Sequence, residues 1–197
     1  MTKLIKHDIF STPVWHIKGA QQSLVDELYE KVATIKEKEH LFNVNVVDVE
    51  PGSADDMRDS NQGGYQTSQA DWKSFHPDGI EYIEKLVTDI FVDYSVEVTG
   101  WWYNINPKGA WNLPHSHGGA DYALVWYLTD SDGLLQLMNP HSYRIDCRDG
   151  WFDTKKGDVL IFPGDIIHYV MPNTKEKDRV CISMNIKLYN HSHLQLS

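Results

Sequence analysis

The spacing of hydrophobic residues changes twice along this chain, and each change predicts a different kind of element. Ile9-Phe10-Ser11-Thr12-Pro13-Val14-Trp15-His16-Ile17 alternates apolar positions but contains Pro13, which has no amide to donate, so an extended edge segment is expected. Over residues 20–39 the period becomes helical: Leu24, Leu28, Val32 and Ile35 form a stripe, with Lys31, Lys36, Glu37, Lys38 and Glu39 on the other face. Residues 50–69 have no period and are rich in Gly, Ser, Asp, Asn and Gln around Pro51-Gly52 and Gly63-Gly64, which predicts a long loop. Beside a cavity such a loop serves as a lid; a surface excursion is the equal alternative. A second helix is predicted over 77–93, with Pro77 in its first turn and Ile80, Ile83, Leu86, Val87, Ile90 and Phe91 on its buried face.

Beyond residue 94 the helical period does not return. Short β-type runs follow at 95–105, 110–117, 121–129, 133–138, 143–147, 158–162, 166–171 and 179–188, with turn signals between them. About eight strands after two helices predict a mainly β protein, a jelly roll braced by two N-terminal helices. One domain over 1–197 is expected, with helical support in 1–94 and the jelly-roll core in 95–190.

Composition narrows the function classes. The 197 residues are 41% hydrophobic and 23% charged, with a formal net charge of -10, which suits a globular domain and meets a polyanion such as nucleic acid with net repulsion. Cys147 and Cys181 are too few for a disulfide framework, no apolar run is long enough to span a membrane, and the first residues, Met1-Thr2-Lys3-Leu4-Ile5-Lys6-His7-Asp8, do not read as a signal peptide. A cytoplasmic location is therefore expected. Aromatic residues at 12%, with seven Trp and ten Tyr, suit a β-rich fold around a lined cavity.

Two β segments suggest a polar lumen. Arg179, Cys181, Ser183 and Asn185 share one face of the last strand, opposite Val180, Ile182, Met184 and Ile186, and Trp102, Asn104 and Asn106 oppose Trp101, Tyr103 and Ile105 in the same way. Solvent on the polar faces is the plain alternative. His115-Ser116-His117 would put two imidazoles on one side of a strand, within reach of one metal ion. His168 lies among apolar neighbours that predict burial, and a buried imidazole needs a partner. Three imidazoles, or two with a carboxylate, leave one side of a six-coordinate iron open for an oxo acid and dioxygen, although zinc takes the same nitrogens. Arg179, eleven residues after His168, would be a buried guanidinium that requires an anion; a structural Asp such as Asp158 or Asp165 is the competing partner. Trp102, Trp111, Tyr122 and Trp126 are either pocket wall or core.

These segments, in order, carry a resemblance: Phe10-Ser11-Thr12-Pro13-Val14-Trp15, Trp102 to Gly109, Pro114-His115-Ser116-His117, Val125-Trp126-Tyr127-Leu128, Leu160-Ile161-Phe162-Pro163 with His168, and Arg179 to Asn185. Together they resemble the 2-oxoglutarate and Fe(II)-dependent oxygenases found in phages and marine bacteria. The resemblance implies a double-stranded β-helix, a cupin-like jelly roll, with His115, His117 and His168 as iron ligands. It also implies Arg179 on the distal carboxylate of 2-oxoglutarate, with Asn104 and Ser183 completing that site. The wider superfamily usually has a carboxylate where His117 stands, so Asp121 is the alternative third ligand, with His117 then supporting it. The implied chemistry is oxidative decarboxylation of 2-oxoglutarate to succinate and CO2, coupled to hydroxylation of a small-molecule or peptidyl substrate by dioxygen. A phage-encoded copy would act in the host cytoplasm; a homodimer through the N-terminal segment stays open on the residues alone.

Two other classes remain open on the residues alone. One is a three-histidine cupin-type metal dioxygenase or isomerase without 2-oxoglutarate, in which Arg179 binds the substrate's own carboxylate. The other is a metal-free jelly-roll binding module that stacks ligands on its tryptophans.

Overall fold

The computed structural model describes residues 12–37, 60–67, 76–131, 134–140 and 149–190. Strands β1 (Trp15–Ile17), β2 (Asn61–Gln62), β3 (Tyr65–Gln66), β4 (Tyr94–Asn106), β5 (Trp111–His115), β6 (Tyr122–Tyr127), β7 (Leu135–Leu137), β8 (Gly150–Trp151), β9 (Val159–Pro163), β10 (His168–Val170) and β11 (Arg179–Asn190) form two sheets. One runs β1-β9-β6-β11-β4-β3 and the other β2-β5-β10-β7-β8, all pairings antiparallel. Helices α1 (Gln22–Glu37) and α2 (Pro77–Ile90) pack on the outer side of the first sheet. The jelly roll braced by two helices is therefore present, and β1 is the expected edge segment.

Alternation decides which side each residue faces. Val180, Ile182, Met184 and Ile186 of β11, Leu124 and Trp126 of β6, and Val159 and Ile161 of β9 join Leu24, Leu28, Ile80, Ile83 and Val87 of the helices in one core. Their sequence neighbours Ala123, Val125, Tyr127, Leu160, Phe162 and Cys181 meet Leu135, Leu137 and Val170 of the second sheet in another. The central strands are thus covered on both faces, and the solvent-facing alternative for the odd positions of β11 is excluded. On β4, Val96 and Val98 share the helix-side core with Trp101, Tyr103 and Ile105 although their parity differs. The register shift between Asn185 and Ile186, where Gly100 and Val98 are the successive partners, inserts Thr99 as an extra residue and reverses the faces. α2 begins where His76 Nδ1 accepts a hydrogen bond from the Gly79 amide at 3.2 Å, with Pro77 in the first turn, where no amide partner is needed.

One of these expectations changes. Residues 61–66, expected inside a loop, form β2 and β3, which pair with β5 of one sheet and β4 of the other and so tie the two sheets together at one edge. The rest of the expected lid, 50–59 and 68–69, the expected strand 143–147 with Cys147, and Phe10-Ser11 lie outside the described residues. Tyr122 and Trp126 are core rather than pocket wall: Trp126 is fully buried and stacks on Tyr82, and Tyr122 packs against Trp15 and Phe91. Among the described residues no helix is long and apolar enough to cross a membrane.

Candidate metal centre

His115 ends β5, His168 begins β10, and the ladder pairs them directly. His117 lies past the end of β5, in the turn that leads to β6, rather than on the strand as the spacing suggested. Its amide donates to Gly164 O at 2.8 Å and its carbonyl accepts from Ala120 at 3.0 Å, so two turns fold together and bring it back to the pair. The three rings then stand 4.3 to 5.6 Å apart, centroid to centroid, and one ligand nitrogen from each lies within 4.8 Å of the others.

Each ring has one nitrogen already committed. Nδ1 of His115 donates to Leu113 O at 2.7 Å, Nδ1 of His168 to Ile166 O at 2.9 Å, and Nδ1 of His117 to Asn185 Oδ1 at 2.7 Å. With the proton held on Nδ1, Nε2 keeps its lone pair. Burial, by disfavouring the charged form, pulls the pKa of His117 down to about 4 and that of His168 to about 3, and lowers that of His115 as well. Three neutral imidazoles with free lone pairs are the donor set that a divalent transition metal requires.

Asp121 does not join them. Its Oδ2 accepts from the Leu188 amide at 2.9 Å and its Oδ1 lies 3.5 Å from Lys187 Nζ on the exposed side. The metal cluster among the described residues is therefore three histidines with no carboxylate.

Arg179 starts β11 and shares a pocket with His115, His117 and His168, together with Trp102, Asn104, Asn112, Cys181 and Ser183. Its residue is 3% exposed. Nε donates to Ser131 Oγ at 3.0 Å, one terminal nitrogen donates to Asn106 Oδ1 at 3.3 Å, and the guanidinium carbon lies 5.5 Å from the centre of the Tyr127 ring. Asn106 is itself held by Asn112, which donates on to Ser60. No ion pair joins it to a carboxylate among the described residues, and Asp158 is taken by His16 and by the amides of Gly19 and Lys155. A buried guanidinium without a carboxylate partner has N–H donors to offer an anion. Arg179 also borders a second cavity, whose lining includes Ser131, Asn173 and Lys177.

Asn104 and Ser183 face the same lumen. Asn104 Nδ2 donates to Ser183 Oγ at 2.9 Å, while its Oδ1 is buried without a partner. Trp102 lines the lumen as well, its ring 5.3 Å from that of His117, whereas Trp111 is 38% exposed and does not border this pocket. Asn106, Asn112, Ser131 and Asn185 had no assigned role in the sequence. For Asn106 and Asn185 the available signal was their place on the polar faces of β4 and β11; Asn112 and Ser131 gave none.

Comparison with known proteins gives this geometry its context. Residues 100–185, which hold all three histidines, Arg179, Asn104 and Ser183, match the family model described as "Putative 2OG-Fe(II) oxygenase". No curated protein matches the sequence. Similar solved structures include the α-ketoglutarate-dependent epimerase SnoN of nogalamycin biosynthesis, with TM-score 0.67 and 12% identity over 89% of this chain and 78% of that one. A prolyl-4-hydroxylase from Pseudomonas putida gives 0.58 and 14% over 90% and 93%. HygX from Streptomyces hygroscopicus, solved with nickel and 2-oxoglutarate, gives 0.58 and 12% over 89% and 82%. At these identities the structures support the fold, and the family match speaks for the chemistry. The matched segment carries the three histidines, Arg179, Asn104 and Ser183, and over that segment the chain is similar to the 2OG-Fe(II) oxygenases.

Proposed function

We propose that this enzyme hydroxylates a small-molecule or peptidyl substrate, with His115, His117 and His168 holding Fe(II) and Arg179 binding the distal carboxylate of 2-oxoglutarate. The observation that carries the reading is Arg179 itself, a buried cation with no described carboxylate partner, in the same lumen as three imidazoles whose Nε2 atoms are free. Iron in that position would let dioxygen oxidise 2-oxoglutarate to succinate and CO2 and deliver oxygen to the substrate.

The chain's own part is binding, orientation and exclusion of water. Ser131 and Asn106 tie down two of the five guanidinium N–H donors and leave the remaining fork for a carboxylate. Asn104 and Ser183 line the same lumen as Arg179 and the histidines and serve as further contacts for the cosubstrate. The Asn104 oxygen that lacks a partner supports this, because rotating the amide would present its N–H2 to the anion while the Ser183 hydroxyl donates to the oxygen. Val125, Leu135 and Val170 supply apolar wall that excludes water, and Phe162 packs edge-on to His168 at 4.9 Å. HygX, with nickel and 2-oxoglutarate, is a precedent for the ligand pair on this fold.

The absence of a carboxylate from the histidine cluster favours one second reading, a three-histidine dioxygenase whose Arg179 binds the substrate's carboxylate. Succinate separates the two. Anaerobically reconstituted protein supplied with 2-oxoglutarate and air should form succinate slowly without added substrate, and faster with the right member of a metabolite and peptide panel. A preparation that binds iron stoichiometrically and forms no succinate supports the second reading instead. A cytoplasmic location and a single domain over the whole chain belong to the same proposal.

A further inference from the structure

Three imidazoles point at one place, yet they are held there by different means. His115 and His168 each donate Nδ1–H to the backbone carbonyl two residues upstream, Leu113 O and Ile166 O. These acceptors belong to the local turn and survive any side-chain substitution. His117 has no such backbone acceptor. Its Nδ1 meets the side-chain oxygen of Asn185, 2.7 Å away and 68 residues later in the chain. Asn185 lies where β11 and β4 lose register, and its own carbonyl receives the Thr99 hydroxyl at 3.4 Å. The Trp102 ring also packs on His117, 5.3 Å between centroids, which restrains the plane but does not distinguish the two nitrogens.

We infer that Asn185 is the positioning residue of the metal centre: its amide oxygen fixes the proton of His117 on Nδ1 and so presents Nε2 to the ion, a role that the other two histidines assign to the backbone. The neutral ring can carry its proton on either nitrogen, and the wrong tautomer offers the metal an N–H instead of a lone pair. An outer hydrogen bond of this kind also fixes ring orientation, and its loss typically lowers metal affinity by about 10- to 100-fold. The inference rests on the three-histidine reading above, in that it takes His117 rather than Asp121 as the third ligand.

The test uses the whole chain and cobalt alone as the probe. Asn185→Val removes the acceptor and keeps a strand-compatible side chain; Asn185→Asp keeps an oxygen at the same place. Co(II) affinity, followed by visible absorption of the bound ion, is expected to fall about 10- to 100-fold in Asn185→Val and to stay within about 3-fold of the parent, or rise, in Asn185→Asp. Nitrogen-15 spectra of the histidine rings in metal-free protein are expected to report the Nδ1–H form of His117 in the parent and a mixture in Asn185→Val. Equal loss in both variants, or unchanged affinity and tautomer in Asn185→Val, would overturn the assignment. If Asn185→Val does not fold, the decision falls to Asn185→Asp, and a 10-fold loss there overturns the inference. If the parent binds no Co(II), the metal reading falls, while the tautomer spectra still decide what Asn185 does to His117.

Discussion

His168 sits directly across from His115 in the β5–β10 ladder, their ring centroids 4.3 Å apart. The separation is set by backbone pairing, so removing one imidazole should leave the sheet in place. His168→Ala and His115→Ala are each expected to abolish stoichiometric Ni(II) binding in calorimetry. The melting temperature of the metal-free protein should change by no more than about 4 °C, equivalent to roughly 1 kcal/mol in a chain of this size. Tight nickel binding that survives in both variants would place the ion elsewhere.

Arg179 has a different task and should give a different signature. Arg179→Met removes the charge and leaves a side chain that still fills the space beside Tyr127. Losing one partner of a buried charge pair costs about 2 kcal/mol or more, which is roughly 30-fold in the 2-oxoglutarate concentration needed for half-maximal succinate formation. Nickel affinity should remain within about 3-fold of the parent, because the guanidinium touches none of the three rings. Parallel loss of metal and cosubstrate binding would argue that Arg179 holds the barrel rather than the anion.

Gly164 tests the turn that carries His117. A Cβ there would come within 2.5 Å of Ala120 O and 3.2 Å of His117 O, both backbone atoms that cannot swing aside. The Gly164 carbonyl is also the acceptor for the His117 amide. Gly164→Ala is therefore expected to destabilise the fold by about 1 to 3 kcal/mol in urea unfolding and to weaken nickel binding, whereas Gly109→Asn, at a turn with φ +87 and open space, should do neither. Equal behaviour of the two variants would contradict this account of how His117 is held.

Acid should unfold the metal-free protein through the same histidines. In the unfolded chain His117 and His168 bind protons as the pH falls below 6.5, whereas in the folded protein, chiefly because of burial, they do so only near pH 4 and pH 3. The unfolded state thus holds more protons across that window, so the stability present above pH 6.5 is lost progressively as the pH falls toward 3. Urea midpoints of metal-free protein should drop between pH 7.5 and pH 5, and the drop should be shallower in His168→Asn. A midpoint unchanged over that range, or an equal slope in the variant, would contradict the burial of these rings.

Much of this arrangement was legible in the residues because alternation carries it. The odd positions of β11, Arg179 to Asn185, and the even positions of β4 from Trp102 to Asn106 read as one polar face; Trp102, Asn104, Arg179, Cys181 and Ser183 line one lumen, while Asn106 and Asn185 hydrogen-bond to its Arg179 and His117. The stripes of α1 and α2 were equally clear, since each apolar residue recurs at helical spacing over several turns. What stayed hidden depends on contacts distant in sequence. Asn61–Gln62 and Tyr65–Gln66 have no apolar period, and they become strands only because β5 and β4 offer free edges. The extra residue at Thr99 reverses the faces of β4 with no local mark in the sequence. Asn185 stood on the correct face without any sign that it faces His117. Asp121 was a reasonable carboxylate by spacing, but the Leu188 amide and Lys187 draw it outward.

The most direct measurement is an anaerobic titration of the full chain with Fe(II) and then 2-oxoglutarate, followed by the visible charge-transfer absorption that appears when an α-keto acid chelates ferrous iron. A single equivalent of iron and a saturable band are expected, the band absent in His168→Ala and shifted to roughly 30-fold higher 2-oxoglutarate in Arg179→Met. A parent protein that takes up no iron, or a band that persists unchanged in both variants, would contradict the account.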